Sequence, residues 1–365
     1  MRGADNAFAT RSPGAQTGVG RRPVASALIV LGTLVAAPGA ASADESGLSF
    51  WLPGLFGSFA AAPGQPGLSV ASFYYHPSVI SGANKDFLQG GRFETGIQGR
   101  GDLVGLGPTY VFATPVFGGQ ASVSLLGVGG RSWVSIDATL TGPRGNEISG
   151  SKSQALTSVG DLFPQATLKW NQGVNNYMVY ATGDIPVGDY DSDRLANLGL
   201  GHGAIDGGAG YTYLNPANRL EFSAVAGMTY NLSNPSTQYQ NGLDAHLDMG
   251  ASYFLSKQLN VGLVGYVFQQ VTGDHGAGAR LGGFESRVAG IGPQLNFFFP
   301  VSDKVQGYAN VKAYREFAAE KPARGLERVA DHRLFACAGE KGGDSIDTTP
   351  IARQLSNALM GKASR

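Results

Sequence analysis

The amino-acid sequence predicts an all-β fold, an antiparallel up-and-down transmembrane β-barrel of about twelve strands. Three observations carry this: apolar and polar residues alternate with a period of two, the alternating segments are long, and the connections between them alternate in length. The clearest segment runs from Leu243 to Leu255. There Leu243, Ala245, Leu247, Met249, Ala251, Tyr253 and Leu255 alternate with Asp244, His246, Asp248, Gly250, Ser252 and Phe254, as in a strand with one apolar and one polar face. Leu220 to Asn231 repeats the pattern, with Leu220, Phe222, Ala224, Ala226, Met228 and Tyr230 on one side. Ala166, Leu168 and Trp170 alternate with Gln165, Thr167 and Lys169, and Gln306, Tyr308, Asn310 and Lys312 alternate with Gly307, Ala309 and Val311.

In order, the expected strands are 67–76, 101–113, 119–141 (bent at Gly127–Gly130), 160–170, 175–184, 204–214, 219–231, 242–255, 258–271, 286–299 and 305–317. A strand crossing a bilayer at a tilt needs about nine to eleven residues, whereas strands of soluble sheets average about five or six. Connections at 77–100, 142–159, 185–203, 232–241 and 272–285 read as long loops, and those at 114–118, 171–174, 215–218, 256–257 and 300–304 as short turns. Sorting by parity in this way is expected of a bacterial outer-membrane barrel, turns inside and loops outside. The chemistry agrees, because lipid offers no hydrogen-bond partner and only a helix or a closed barrel pairs every backbone group. Tyr110, Trp170, Tyr177, Tyr213, Tyr230, Tyr253 and Tyr266 lie near strand ends, as interfacial girdles would.

Composition is consistent with this class. Of 365 residues, 55 are Gly and only 15% are charged, with a formal net charge of zero; a typical chain carries about 25% charged residues. The neutral balance excludes the footprint of a nucleic-acid binder, and 42% apolar residues exclude disorder. The single Cys337 excludes a disulfide framework and a thiolate-rich metal site.

Residues 1–43 read as a signal peptide. Arg21 and Arg22 precede an apolar run from Val24 to Ala37, and Ala41-Ser42-Ala43 supplies a small-residue cleavage site before Asp44. A membrane anchor is the competing reading, but the run is short of the ~20 residues needed to span a bilayer. The chain then divides into an apolar N-terminal segment, 44–66, a barrel, 67–317, and a charged tail, 318–365. Phe50 to Ala62, with Trp51, Leu52, Leu55, Phe56 and Phe59, is too apolar to float in water. It is expected either to fold into the lumen as a plug, with Trp51, Leu52 and Phe56 its anchors, or to lie along the membrane interface.

Candidate lumen-lining residues are Gln165, Lys169, Glu221, Asp244, His246, Asp248 and Lys312. Asp244, His246 and Asp248 share one face about 7 Å apart, placed to bind a solute or cation or simply to wet the lumen. A ring of one sign would announce ion selectivity, and the mixed signs here favour neutral solutes. Asp189-x-Asp191-x-Asp193 opens like a calcium loop, but Arg194 and Leu200 stand where Gly and Glu belong. An acidic outer loop bridging the divalent ions of lipopolysaccharide and an ordinary solvated loop are the remaining readings. The histidines lack metal spacing, no Gly-x-Ser-x-Gly elbow exists, and no cofactor, metal or catalytic set is expected. The expected surroundings are outer-membrane lipid, lipopolysaccharide and the barrel-assembly machinery of a Gram-negative cell. The function read from this is a porin-like passage for neutral solutes; a structural or adhesive barrel is the alternative, and a barrel enzyme a more distant one.

Several longer motifs carry a resemblance. They are Ser49-Phe50-Trp51-Leu52-Pro53-Gly54-Leu55-Phe56-Gly57-Ser58, Pro108-Thr109-Tyr110-Val111-Phe112-Ala113-Thr114-Pro115, Thr182-Gly183-Asp184-Ile185-Pro186-Val187-Gly188, Gly201-His202-Gly203-Ala204-Ile205-Asp206-Gly207-Gly208, Gln238-Tyr239-Gln240-Asn241-Gly242 and Gly290-Ile291-Gly292-Pro293-Gln294. Over 46–317 the chain resembles the bacterial outer-membrane transporters named for the phenol meta-cleavage pathway. The resemblance implies a barrel admitting small aromatic compounds such as phenols. It also implies a closing strand near the C-terminus that carries Trp and Phe, and here the chain departs. Residues 318–365 hold 14 charged residues, against 40 in the preceding 317. Permitted codons for Gly325 to Cys337, read one base later, spell Ala-Trp-Asn-Ala-Trp-Leu-Thr-Ile-Ala-Phe-Ser-Pro, a suitable closing strand. The expectation is a frameshift that replaced the twelfth strand and left 67–76 and 305–317 as unpaired edges, with a short helix at 350–360 in the shifted tail; an ordinary soluble tail is the plainer reading.

Overall fold

The computed structural model describes residues 49–86, 92–279, 285–302, 306–317 and 335–342. The expected signal peptide and the expected helix at 350–360 lie outside the described residues. In chain order the strands are β1 (Gly67–Tyr75), β2 (Ser78–Asp86), β3 (Arg92–Val111), β4 (Gln120–Thr141), β5 (Glu147–Gln172), β6 (Asn175–Asp184), β7 (Ala204–Asn215), β8 (Leu220–Asn231), β9 (Asp244–Phe254), β10 (Leu259–Gln270), β11 (Arg287–Pro300), β12 (Gln306–Lys312), β13 (Arg315–Phe317) and β14 (Phe335–Gly342).

Two pairs of these are single strands with a break. β1 and β2 both pair with β3 and are separated by His76-Pro77, where proline has no N–H to give the ladder. β12 and β13 both pair with β11. Twelve ribbons therefore remain among the described residues, each antiparallel to its chain neighbours. β14 pairs with β12 on one side and β1 on the other, and β1 pairs with β3, so the hydrogen-bonded order returns to its start. The expectation of open edges at 67–76 and 305–317 is thus corrected: Phe335–Gly342, from the charged tail, pairs with both.

The connections sort by rim. Those at 112–119, 173–174, 216–219, 255–258 and 301–305 are short, and those at 185–203, 232–243 and 271–286 are long. The stretches 77–100 and 142–159, expected as loops, are instead mostly strand. β3, β4 and β5 run for 20, 22 and 26 residues, roughly twice what a bilayer requires. Their upper halves stay paired from Arg92↔Thr141 and Thr141↔Glu147 downward, forming a sheet that stands above the barrel. The bend expected at Gly127–Gly130 appears as a register shift between Gly127 and Gly129.

The outer wall is apolar. Val104, Leu106, Phe222, Tyr230, Leu263, Ile291 and Leu295 are all exposed, the row that meets acyl chains. No described helix is long and apolar enough to cross a membrane; the strands cross. Tyr110, Tyr177, Tyr230 and Tyr253 are exposed on this wall, but Tyr266 is 1% exposed and faces inward, so its expected place in an outer girdle is corrected. In β10 both faces are apolar, and Val264, Tyr266 and Phe268 belong to the buried one. The lumen is therefore not simply polar. It holds three apolar clusters among the described residues, and residues of the N-terminal segment join or pack against each.

Candidate functional site: the lumen and its N-terminal segment

Residues 49–66 contain Pro53, Pro63 and Pro66 and several glycines, a composition that suits neither helix nor strand. The segment makes two tight turns, Leu55 N–H to Leu52 O (2.9 Å) and Ala62 N–H to Phe59 O (3.0 Å). Its other buried peptide groups need partners, and inward-facing side chains of the barrel supply them. Gly54 sits at φ +80°, and a Cβ there would fall 2.7 Å from the Tyr314 ring, so the first turn requires glycine.

The inner anchor is formed by Asp248, Lys312 and Tyr314. Asp248 accepts the Gly54 N–H at 2.9 Å and the Phe56 N–H at 3.0 Å, one on each carboxylate oxygen. Lys312 donates to the carbonyls of Gly54, Leu55 and Phe56 at 2.9, 3.1 and 3.3 Å. The Tyr314 hydroxyl adds a bond to Gly54 O at 3.2 Å.

The anchor at the short-turn rim is built on Glu221. It accepts the Phe59 N–H at 2.9 Å and the Ser58 hydroxyl at 2.5 Å, and Ser223 and Ser252 hold the same carboxylate at 2.5 and 2.7 Å. Gln294 donates to Ser58 Oγ at 2.7 Å. The Phe59 ring sits 5.8 Å from Phe254 and 5.6 Å from Phe298. Thr212 accepts the Ala61 N–H at 3.0 Å, Lys169 donates to Ala62 O at 3.2 Å, and Gln120 bonds both polar groups of Gly64 at 2.7 and 2.9 Å.

At the far end, Trp51 is 2% exposed. Its ring lies against His246 with centroids 3.6 Å apart and planes 17° apart. His246 Nε2 is 2.9 Å from Asp206 Oδ2 and 3.3 Å from the Tyr180 hydroxyl. Phe56 packs on Trp51 and Tyr180, and Phe50 on Phe163. Leu52 packs with Leu55 against Tyr266, Tyr314 and Val264.

The 185–203 connection reaches the same region from the other rim. The Asp161 carboxylate accepts N–H groups from Gly188 and Leu200, each at 2.7 Å, and Leu200 joins the cluster containing Phe50 and Trp51. The acidic run in this loop is internally paired. Arg194 bonds Asp189 and lies 3.8 Å from Asp191, and it holds the Asp189 carboxyl below the usual carboxylate range. No cluster of metal-ligating groups occurs among the described residues.

Of the residues expected to line the lumen, Asp248, Glu221, Lys312 and Lys169 bind the segment's backbone, and His246 carries its Trp51. Asp244 instead accepts from Asn231 at 2.8 Å. Gln165 faces inward beside Ser124 and Thr182 and takes no part in the anchors. Sequence reading missed Thr212, Gln120, Gln294, Tyr314, Asp206 and Tyr180. The inward parity of 204–214 points to Asp206 and Thr212, but nothing local marks the others.

No curated protein matches the chain in sequence. Among solved structures, the fold is similar to a COG4313 outer membrane channel from Pseudomonas putida F1. The TM-score is 0.52 and the identity 12%, covering 77% of this chain and 97% of that one. A FadL homologue from Pseudomonas aeruginosa is more distant, with TM-score 0.36 and 9% identity over 75% and 89%. Residues 83–330, more than half the chain, match the family described as "Putative MetA-pathway of phenol degradation". With its apolar outer wall and its rims of unlike length, the chain is a β-barrel of the bacterial outer membrane, and it belongs to this family linked to phenol degradation.

Proposed function

We propose that this barrel passes small hydrophobic or aromatic molecules, phenols among them, across the outer membrane passively, and that residues 49–66 form the plug that limits the passage. One observation carries the reading: beside the polar groups that hold the plug, the lumen's inward face carries a set of buried aromatic side chains, Tyr180, Tyr266, Tyr314, Phe73 and Phe268. A pore for ions or sugars needs a wetted wall, and polar groups left without partners in a dry one cost free energy. Here Asp248, Glu221, Lys312 and Lys169 are occupied by the plug, and the buried rings are left as the apolar surface that a solute moving past it would meet. Tyrosine also offers a hydroxyl to a phenolic group, which suits a ligand with one wet end.

Liposome swelling tests this. Wild-type barrels are expected to admit phenol and other small aromatics faster than sugars of similar size, and a chain lacking 48–62 is expected to lose that preference as its conductance rises. Equal and negligible swelling with every solute, before and after the deletion, would instead favour a structural or adhesive barrel.

A further inference from the structure

The outward face of β3 and β4 changes character within one step of the pleat. Down β3, Val104, Leu106 and Tyr110 are exposed and apolar; the next outward positions above them are Asp102 and Arg100. On β4, Val123 and Leu125 are exposed, and beyond the register shift come Arg131 and Trp133. The ladder sets Asp102 opposite Arg131 and Arg100 opposite Trp133, so both guanidiniums lie within one patch, on diagonal neighbours. The patch is built in detail. Asp102 accepts from the Tyr74 hydroxyl at 2.6 Å and contacts His76 Nδ1 at 2.7 Å. The Arg100 guanidinium lies 5.6 Å from the centre of the Trp133 ring. Neither the Arg100 nor the Arg131 guanidinium makes a hydrogen bond or short ion pair among the described residues.

The height of the patch identifies what faces it. From Leu68 to Tyr74 the outward row of β1 runs about 20 Å along the strand, about 15 Å of height at a tilt of about 40°, and the apolar band of this wall ends there. The patch therefore sits at the top of that band, on the rim of the long loops, which is the outer face. Tyrosine and tryptophan are the residues that settle at that depth. Two guanidiniums stand against one carboxylate that is already engaged, so the patch is net positive. Planar guanidinium forks match phosphate, and an indole beneath one of them fixes its direction. The phosphate-bearing lipid of the outer leaflet is lipopolysaccharide. We infer that Arg100, Arg131 and Trp133 form a seat for a lipid A phosphate, beside the Tyr74–Asp102–His76 network.

The test is independent of transport. Wild-type and R100Q/R131Q barrels, folded in lipopolysaccharide-free micelles, are titrated with bisphosphorylated lipid A, dephosphorylated lipid A and phosphatidylglycerol, and the thermal midpoint is read from heat-modifiable mobility on gels. Bisphosphorylated lipid A is expected to raise the wild-type midpoint. The double variant is expected to bind it about tenfold more weakly or worse, and the other two lipids to give no comparable rise. Should wild-type barrels respond equally to phosphorylated and dephosphorylated lipid A, the seat does not exist, whatever the variant does. An equal rise with phosphatidylglycerol overturns the assignment to lipopolysaccharide. Failure of either kind leaves the swelling result untouched, so it is distinguishable from failure of the transport reading.

Discussion

Asp248 on β9 and Lys312 on β12 grip the same three residues of the plug, the carboxylate taking N–H groups of Gly54 and Phe56 and the ammonium taking the carbonyls of Gly54, Leu55 and Phe56. Both side chains are buried. A buried charge without a partner costs several kcal/mol, so each holds the plug in place as firmly as the plug satisfies it. The prediction is that D248N and K312M each raise the open fraction of single channels markedly. In the double variant the two effects are expected to add to less than their sum, because each single change strands the other charge. Recordings in which both single variants match wild type would remove the anchor from the account.

Gly54→Ala probes the same anchor from the backbone. The substitution places a Cβ against the Tyr314 ring in a conformation that costs a non-glycine residue about 1 kcal/mol or more. The plug is expected to leave its seat while the barrel stays folded. Conductance should rise with no change in heat-modifiable mobility, and Y314A should partly rescue closure by removing the ring.

The outer cover of the lumen has a charge dependence of its own. Arg194 holds the Asp189 carboxyl below its ordinary range, so the pair contributes to loop order above that range and ceases to as pH falls through the lowered value. Wild-type conductance is expected to stay low on acidification until below the ordinary aspartate range, about pH 4. R194A is expected to show at neutral pH the looser loop that wild type reaches only in acid. A flat pH profile in both chains would dissociate the pair from gating.

The barrel was legible in the sequence because lipid and lumen impose opposite demands on successive residues. Leu243 to Leu255 shows this directly: Asp244, His246 and Asp248 are buried inward, while Tyr253 and Leu255 are exposed outside. Where the demand weakens, so did the reading. Above the membrane, both faces of 92–100 and 147–159 meet water, alternation disappears, and strands read as loops. In β10 the inner face is as apolar as the outer because it packs on the plug, and Tyr266 was assigned to the wrong side. The anchors were half legible. Parity pointed to Asp248, Glu221 and Lys312, but their partners at Gly54 to Phe59 lie more than 160 residues away in the chain, and only the closed barrel brings them together.

The closing strand leads to the last prediction. β14 pairs Glu340 with Val70 and Lys341 with Ser69. A closing strand with charges at 340 and 341 departs from the aromatic closing strand that the resemblance implies, and the frame-shifted reading of 325–337 supplies one, its aromatic and aliphatic residues alternating with small and polar ones. We therefore predict that the gene carries a base insertion or deletion before codon 325, and that restoring the frame yields a barrel with a higher unfolding midpoint on heat-modifiability gels than the chain ending in Phe335–Gly342. A nucleotide sequence whose shifted frame encodes no alternating aromatic strand would falsify the frameshift. An equal midpoint for the two chains would show that Phe335–Gly342 closes the barrel as well as the aromatic strand does.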